Sequence, residues 1–415
     1  MYQLFNGKFI DYYELTMAQG YFLSGRGEKQ ASFDYFFRNH PFGSGYTVFS
    51  GLSDFLKALS NFSFSKDDLD YLQKTGLHKD FIAYLEAFTF KGTIHSAKEG
   101  EIVFPNEPVL KVEGNILETQ LIETMLLNIL NFHSLVATKA LRMRYAAGDR
   151  KLIDFGLRRA QGLGGLHASK AAVAGGFDGT SNVQAGFDFD IPVSGTMAHS
   201  WVQSYESEEL AFREFAKHYP ENCILLIDTY DTLKSGIHNA VLIAKELEAK
   251  GYQLNGVRLD SGDLAYLSKK VRKILDDNDL SYVKIITSNQ LDEYTIKSLL
   301  EQKAPIDGFG VGTRLVTGQP DAALDGVYKL VSFDGKAQIK TSDNITKQTL
   351  PGKKKLIRFY NGARQFYADA ILLEEEKETD IMYHPHHPEK HCSLTEYEQE
   401  EVLVEVVNNG QIVPG

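Results

Sequence analysis

The chain has 415 residues, 43% apolar and 24% charged, with 44 Lys and Arg against 55 Asp and Glu for a formal net charge of −11. This composition supports two or three packed domains of roughly 100–200 residues each and excludes disordered, collagen-like and coiled-coil chains. An acidic surface repels nucleic acid and anionic membranes, so an anionic small substrate needs a local basic cluster. The two cysteines, Cys223 and Cys392, cannot build a disulfide framework, which suits a reducing, cytoplasmic setting. The apolar N-terminal stretch carries Asp11 and Glu14 and no basic leader, so no signal peptide is expected. No apolar run approaches the roughly 18–20 residues of a membrane helix.

Along the first 115 residues, Asp34–Phe37 and Gly45–Gly51 are expected as strands around the turn Pro41-Phe42-Gly43. Ile94–Val112 is expected as two or three short strands broken by Gly100, Pro105 and Pro108. Leu121, Ile122, Met125, Leu126, Ile129 and Leu130 recur at helical spacing, which predicts one long buried helix from Glu118 to about Arg144. From Lys151 short apolar strands alternate with helices. The strands are Lys151–Phe155, Ile191–Ser194, Cys223–Asp228, Asn255–Asp260, Val283–Ser288 and Ile306–Val311. The clearest helices are Ser207–His218, Ile237–Lys250, Asp263–Asp276 and Leu291–Gln302. Such alternation predicts right-handed crossovers and a parallel sheet, open or closed into a barrel.

After about Gly326 the pattern returns to β, with Val327–Phe333, Ala337–Thr341 and Lys355–Phe359, then a polar tail. The layout that follows is an α/β domain over 131–325, with residues 1–130 and 326–415 building a second, shared domain. His384, His386, His387, His391 and Cys392 resemble a metal site by composition, but Pro385 and Pro388 favour a stiff extended surface loop. Lys353-Lys-Lys355 and Glu374-Glu-Glu376 are expected as solvated turns.

Polar residues collect just past the C-terminal end of each predicted strand of the middle domain. They are Asp154 with Arg158 and Arg159, then Ser194-Gly-Thr196 with His199, Asp228 with Asp231, and Arg258 with Asp260-Ser261-Gly262-Asp263. Ser288-Asn289 and Gly310-Val-Gly312-Thr313 end the last two strands. Barrels and doubly wound sheets assemble their sites at that edge, and six such ends in register point to one. Each alone reads equally as a cap or turn. Arg158, Arg159 and Arg258 are forked cations suited to carboxylates and phosphates. The glycines of 310–312, and Gly156, Gly162, Gly164 and Gly165 followed by Lys170, could offer backbone N–H groups to phosphate. Asp228, Asp260 and Asp263 suit Mg²⁺ bound to a polyphosphate, with helix capping as the competing role of Asp263. His199 opens a helix among cationic neighbours, where an imidazole could serve as base or nucleophile.

These residues resemble the nicotinate phosphoribosyltransferase family of the ATP-coupled bacterial and eukaryotic type. The resemblance begins at Asp11-Tyr-Tyr13-Glu-Leu-Thr16, continues at Phe36-Phe-Arg38 and Pro41-Phe-Gly43-Ser-Gly45-Tyr46, and covers most of the chain. Its most specific stretches are Phe155-Gly-Leu-Arg158-Arg159-Ala-Gln161-Gly162, Gly175-Gly-Phe-Asp178-Gly-Thr-Ser181-Asn182 and Ser194-Gly-Thr196-Met-Ala-His199-Ser200. Gly256-Val-Arg258-Leu-Asp260-Ser261-Gly262-Asp263, Ser288-Asn289 and Gly310-Val-Gly312-Thr313 complete it.

The resemblance implies an irregular α/β barrel plus an α/β-sandwich domain built from both ends of the chain. It implies that nicotinate and phosphoribosyl pyrophosphate give nicotinate mononucleotide and pyrophosphate, in salvage toward NAD. Mg²⁺ is the implied cofactor. ATP is the implied co-substrate, acting through a phosphohistidine that maps onto His199, with Asp228 and Asp260 beside it as catalytic carboxylates. Nicotinate is implied to meet Tyr13, Thr196, Arg258 and Arg158, with Tyr13 supplied by the partner of a homodimer. The phosphoribosyl donor is implied to meet Arg159, Lys170, Ser261, Gly262, Asn289, Gly310, Gly312 and Thr313. Relatives of this type usually continue for a further helical segment past the stretch matching Val402–Val413. Nicotinamide-using relatives carry a carboxylate where this chain has Ser181-Asn182, and Arg258 favours an acid. Quinolinate-using relatives lack the ATP-linked histidine. An unrelated phosphate-binding barrel lyase or isomerase would share the strand-end Gly and Arg, but a Schiff-base enzyme would need a strand-end Lys that is missing here. A non-catalytic scaffold would not be expected to keep Arg158, His199 and Asp260 together.

Overall fold

A computed structural model of the chain describes residues 5–340, 349–377, 379–385 and 387–413. The first stretch runs α1 (Tyr12–Leu23), β1 (Gln30–Phe37), β2 (Thr47–Val48), α2 (Leu52–Ser60), α3 (Lys66–Lys74) and α4 (Lys79–Glu86). It continues through β3 (Thr93–Ser96), β4 (Ile102–Val103), β5 (Leu110–Asn115), α5 (Ile116–Gln120) and α6 (Glu123–Ala147). The middle runs β6 (Lys151–Asp154), α7 (Gly164–Ala174), β7 (Gly179–Thr180), α8 (Val183–Phe189), α9 (His199–Gln203) and α10 (Glu208–His218). Then come β8 (Ile224–Leu226), α11 (Ile237–Glu248), β9 (Gly256–Leu259), α12 (Leu264–Asp276), β10 (Lys284–Ser288), α13 (Glu293–Glu301), β11 (Gly308–Val311) and α14 (Thr313–Val316). The last stretch is β: β12 (Gly326–Phe333), β13 (Lys336–Ala337), β14 (Lys354–Tyr360), β15 (Phe366–Leu373), β16 (Ile381–His384), β17 (His387–Ser393), β18 (Glu398–Glu401), β19 (Val404–Asn408) and β20 (Gln411–Ile412).

The chain divides into two compact units, residues 1–135 with 323–415 and residues 136–322. In the first, an antiparallel sheet is ordered β13-β12-β1-β5-β3-β19-β20, so strands from both ends of the chain flank β1 and β5. A smaller sheet, β15-β14-β18, lies in the same unit. In the second, six parallel strands are ordered β7-β6-β11-β10-β9-β8. Apart from a bridge between Thr180 and Val193 next to β7, the order is the cyclic one of a barrel with a single break before β8. Its strands are short apolar runs, as both-face burial of a parallel sheet requires. Leu225, Leu226, Val257, Leu259, Ile285, Phe309 and Val311 are all buried. Helices α8, α10, α12 and α13 are capped by the side chains of Asn182, Ser207, Asp263 and Asp292. On α12, Asp263 accepts the Tyr266 N–H at 3.0 Å, and Ala265, Ser268, Val271 and Leu275 face inward.

Several expectations change. The helix expected from Glu118 to about Arg144 is two helices with a turn at Leu121–Ile122. No glycine or proline stands there, and the apolar spacing runs straight through the break, so periodicity cannot detect it. By length and hydropathy the stretch Ile116–Ala147 would suffice to cross a membrane, although no unbroken apolar run does; 67% of its most apolar window is buried in the protein, which marks a core helix. The expected strand Ile191–Ser194 contributes only the Val193 bridge, because Pro192 has no N–H to give a ladder. Thr180 instead donates its N–H to the Pro192 carbonyl at 3.0 Å, and the two-residue strand β7 was too short to signal itself.

The expected polar tail is mostly strands β15–β20, whose exposed faces hide the alternation. The histidine-rich segment is the hairpin β16–β17, not an extended loop, with His384 pairing His387; His386 lies outside the described residues. Thr341, the end of the expected strand Ala337–Thr341, also lies outside them. Lys353–Lys355 are not a solvated turn. Lys354 begins β14 pointing inward, pairs with buried Asp34 at 2.9 Å and donates to the Leu350 and Gly352 carbonyls. Glu374 pairs with buried Lys111.

On α1, Glu14 is fully buried and accepts the Thr124 hydroxyl. Burial above all, with Glu123 and Asp11 nearby, pushes its carboxyl up to about 8 against the Thr124 hydrogen bond. The folded state therefore holds this proton more tightly than the unfolded chain does. Its contribution is fully present below the unfolded value near 4.5 and is lost as pH rises toward about 8. Glu14→Gln should match the parent stability at about pH 4 and exceed it at about pH 9 by urea midpoint; a difference that does not grow with pH contradicts this.

Candidate active site

All strands of the parallel sheet end at one edge, and the loops that leave it hold the second unit's charged residues in register. At the end of β8, Asp228 Oδ2 accepts the Asp260 N–H at 2.8 Å and the Ser261 hydroxyl at 2.6 Å. Its Oδ1 is buried and has no hydrogen-bond partner among the described residues. At the end of β9, Asp260 Oδ1 accepts the Ser288 hydroxyl from the end of β10. The two carboxylates thus tie three neighbouring strand ends together.

Arg258 stands on β9 just before this pair. One of its terminal nitrogens donates to the Thr196 hydroxyl, and its Nε–H is buried without a partner among the described residues. Burial holds the guanidinium below its ordinary value, and nearby Arg158 lowers it further, against the pull of Asp260 and Asp228. A desolvated guanidinium with unused donors is built to receive an anion. His199 opens α9, with Nδ1 at 3.1 Å from Thr229 Oγ1 and Nε2 at 3.9 Å from Asp260 Oδ2. The imidazole is thus held between a hydroxyl and a carboxylate of the same edge.

The phosphate-binding candidates lie around this cluster. Gly310 lies in β11 and Gly312 just past it, and a Cβ at Gly310 would fall 2.3 Å from the Phe155 ring, so only glycine lets that strand end pack. Thr313 opens the four-residue helix α14, and Gly262, with φ +79, follows Ser261 at the end of β9. Asn289 and Gln290 after β10 have φ of 90 and 44, a strained backbone of the kind that clusters at ligand sites. Arg158 and Arg159 form a short 3₁₀ turn after β6 with both side chains exposed. Lys170, on α7, lies over the Phe189 ring at 5.0 Å. Asp263 caps α12 and so takes its capping role. Tyr13 belongs to the first unit, half exposed on α1, where burial and the nearby Glu123 carboxylate hold its phenol above the ordinary value.

The strand-end pattern missed Thr229, which follows Asp228 directly; the same positional rule that selected its neighbour would have selected it. Ser288, read from the sequence as a strand end, takes its role here by donating to Asp260.

The sequence matches family models along its length. Residues 9–131 match the nicotinate phosphoribosyltransferase N-terminal domain, residues 150–373 the nicotinate phosphoribosyltransferase family and residues 353–415 its C-terminal domain. A nicotinate phosphoribosyltransferase of Bacillus subtilis is 48% identical over 390 residues, covering 91% of this chain and 79% of that protein. One of Caenorhabditis elegans is 40% identical over 431 residues, covering 89% and 76%. The crystal structure of human nicotinic acid phosphoribosyltransferase is similar with a TM-score of 0.88 at 31% identity, over 98% of this chain and 90% of that one. The strand-end cluster and these matches lead to one conclusion: the chain belongs to the nicotinate phosphoribosyltransferase family.

Proposed function

We propose that this enzyme, acting in salvage toward NAD, joins nicotinate to phosphoribosyl pyrophosphate at the strand-end cluster and couples the step to ATP through His199. The observation that carries the reading is Arg258: a half-buried guanidinium, desolvated, with one donor spent on Thr196 and Nε–H unspent. Nicotinate's carboxylate is the complementary group, and Thr196 and Arg158 complete its surroundings. Tyr13, from the partner subunit of a homodimer, would stack on the ring.

In the reaction the pyridine nitrogen's lone pair forms a bond to ribose C1 as the bond from C1 to the pyrophosphate oxygen breaks. Its electron pair leaves with pyrophosphate. The pyridine nitrogen carries no proton to remove, so catalysis is positioning plus stabilisation of departing charge. Arg159, Lys170, Ser261, Gly262, Asn289, Gly310, Gly312 and Thr313 are the candidates for holding the donor's phosphates. Mg²⁺ fits beside them, because buried Asp228 Oδ1 lacks a partner and Asp260 stands next to it. Among the described residues no group of three His, Cys, Asp or Glu converges on one point, which suits an ion held largely by substrate phosphates. When bound, the ion supplies charge neutralisation for the leaving pyrophosphate.

For coupling, an imidazole nitrogen of His199 takes the γ-phosphoryl group of ATP; the N–P bond forms, the bridging P–O bond breaks and ADP leaves. Water later cleaves the N–P bond and releases inorganic phosphate. Thr229 and Asp260 hold the ring for this step. Formation of nicotinate mononucleotide with matching conversion of ATP to ADP is expected. His199→Ala should lose the ATP stimulation and keep weak ATP-independent turnover, and undiminished coupling in that variant overturns the assignment. Arg258→Lys loses the forked, charge-assisted contact, worth about 1.5–3 kcal/mol, so KM for nicotinate should rise about 10–100-fold. An unchanged KM for nicotinate would remove Arg258 from the site.

A further inference from the structure

Asp154 ends β6, is fully buried, and among the described residues has no charged partner to account for it. Three groups donate to its carboxylate. Oδ1 accepts the Gly156 N–H at 2.7 Å, and Oδ2 accepts the hydroxyls of Ser169 and Thr180, each at 2.7 Å. Those three contacts reach three elements: the loop after β6, helix α7 and strand β7. The ties extend one step further. Gly156 accepts the Arg159 N–H at 2.7 Å, so the backbone carrying Arg159 hangs from the residue that Asp154 grips. Gly156 itself fits closely against α14, since a Cβ there would fall 2.1 Å from Val316 Cγ1. Thr180 Oγ1 accepts the Asn182 N–H at 3.0 Å, and the Asn182 side chain returns to Gly165 and Ser169. Ser169 directly precedes Lys170 on α7.

An ionised carboxylate taken out of water is costly unless its acceptors are met. Burial pushes this one up, and the three hydrogen bonds oppose that. A neutral amide keeps one oxygen for the Gly156 N–H but turns an NH₂ group toward Ser169 and Thr180, whose hydroxyls would have to reverse from donating to accepting; the carboxylate alone accepts all three contacts as they stand.

We infer that Asp154 is a positioning residue for the phosphoribosyl donor, setting the Arg159 loop and the Lys170 helix by accepting from Gly156, Ser169 and Thr180. It touches no substrate and acts through Gly156 and Arg159. The inference rests on the reading that Arg159 binds the donor's phosphates.

The test is steady-state kinetics of the full chain for Asp154→Asn, Arg159→Ala and the double variant. Asp154→Asn should raise KM for phosphoribosyl pyrophosphate about tenfold, the loss of one charged acceptor, while KM for nicotinate stays within about twofold. Added to Arg159→Ala it should cost little more, because both changes remove one function. Effects that multiply in the double variant overturn the inference, as does a rise in KM for both substrates together with a fall in kcat. A raised KM in Arg159→Ala with an unchanged one in Asp154→Asn overturns the inference alone. An unchanged KM in Arg159→Ala overturns the donor assignment and the inference with it. If Asp154→Asn does not fold, Ser169→Ala decides: removing one donor should raise the same KM about threefold, and no change overturns the inference.

Discussion

The site is organised around a guanidinium taken out of water. Burying Arg258 lowers its affinity for its own proton and would be unfavourable if the surroundings did not answer it. Asp228 and Asp260, at the ends of adjacent parallel strands, supply the compensating field without forming a direct fork with it. Thr196 takes one donor, and the buried Nε–H has no partner among the described residues. An ammonium in the same place would offer no planar pair of donors, and a fully paired arginine would offer nothing to a substrate.

The same carboxylates have a second task. A parallel sheet fixes its strands by backbone hydrogen bonds, but its loops need other ties. Asp228 reaches across from β8 to the backbone and hydroxyl after β9, and Asp260 reaches from β9 to Ser288 on β10. Asp154 does the equivalent for β6, α7 and β7. A carboxyl group at each of these strand ends fastens a neighbouring loop, among them the one that carries Arg158 and Arg159. The edge thus combines side chains tied by hydrogen bonds with polar atoms that have no partner among the described residues, a combination that suits preorganised charge.

Much of this was legible in the sequence because the governing signals are local. Strands β6 and β8–β11 are apolar runs closed by Asp, Ser or Gly, and helices α10, α12 and α13 carry their own side-chain caps, so their positions could be read within a few residues. The site followed from them, since residues past strand ends share an edge by topology alone. What escaped was set by tertiary context. The turn inside the long helix at Leu121–Ile122 has no breaker residue. Pro192 removed a strand that its apolar neighbours promised. Lys354 looked like one of three solvated lysines until strand alternation turned it inward onto Asp34. Thr229 was passed over, and Asp154 was placed at a strand end without a role, because residue identity does not distinguish a side chain that orients its neighbours from one that caps a turn; only distances do.

The most direct measurement of the central claim is competition between nicotinate and nicotinamide in one reaction with phosphoribosyl pyrophosphate, Mg²⁺ and ATP. The two bases differ only in the group that Arg258 would receive. The account predicts that the acid is consumed at least about 100-fold faster per unit concentration, the discrimination expected when a site's buried charge is left unanswered by the wrong ligand. Comparable consumption of the amide would contradict it, because a guanidinium that does not discriminate a carboxylate from an amide is not the anchor of this site.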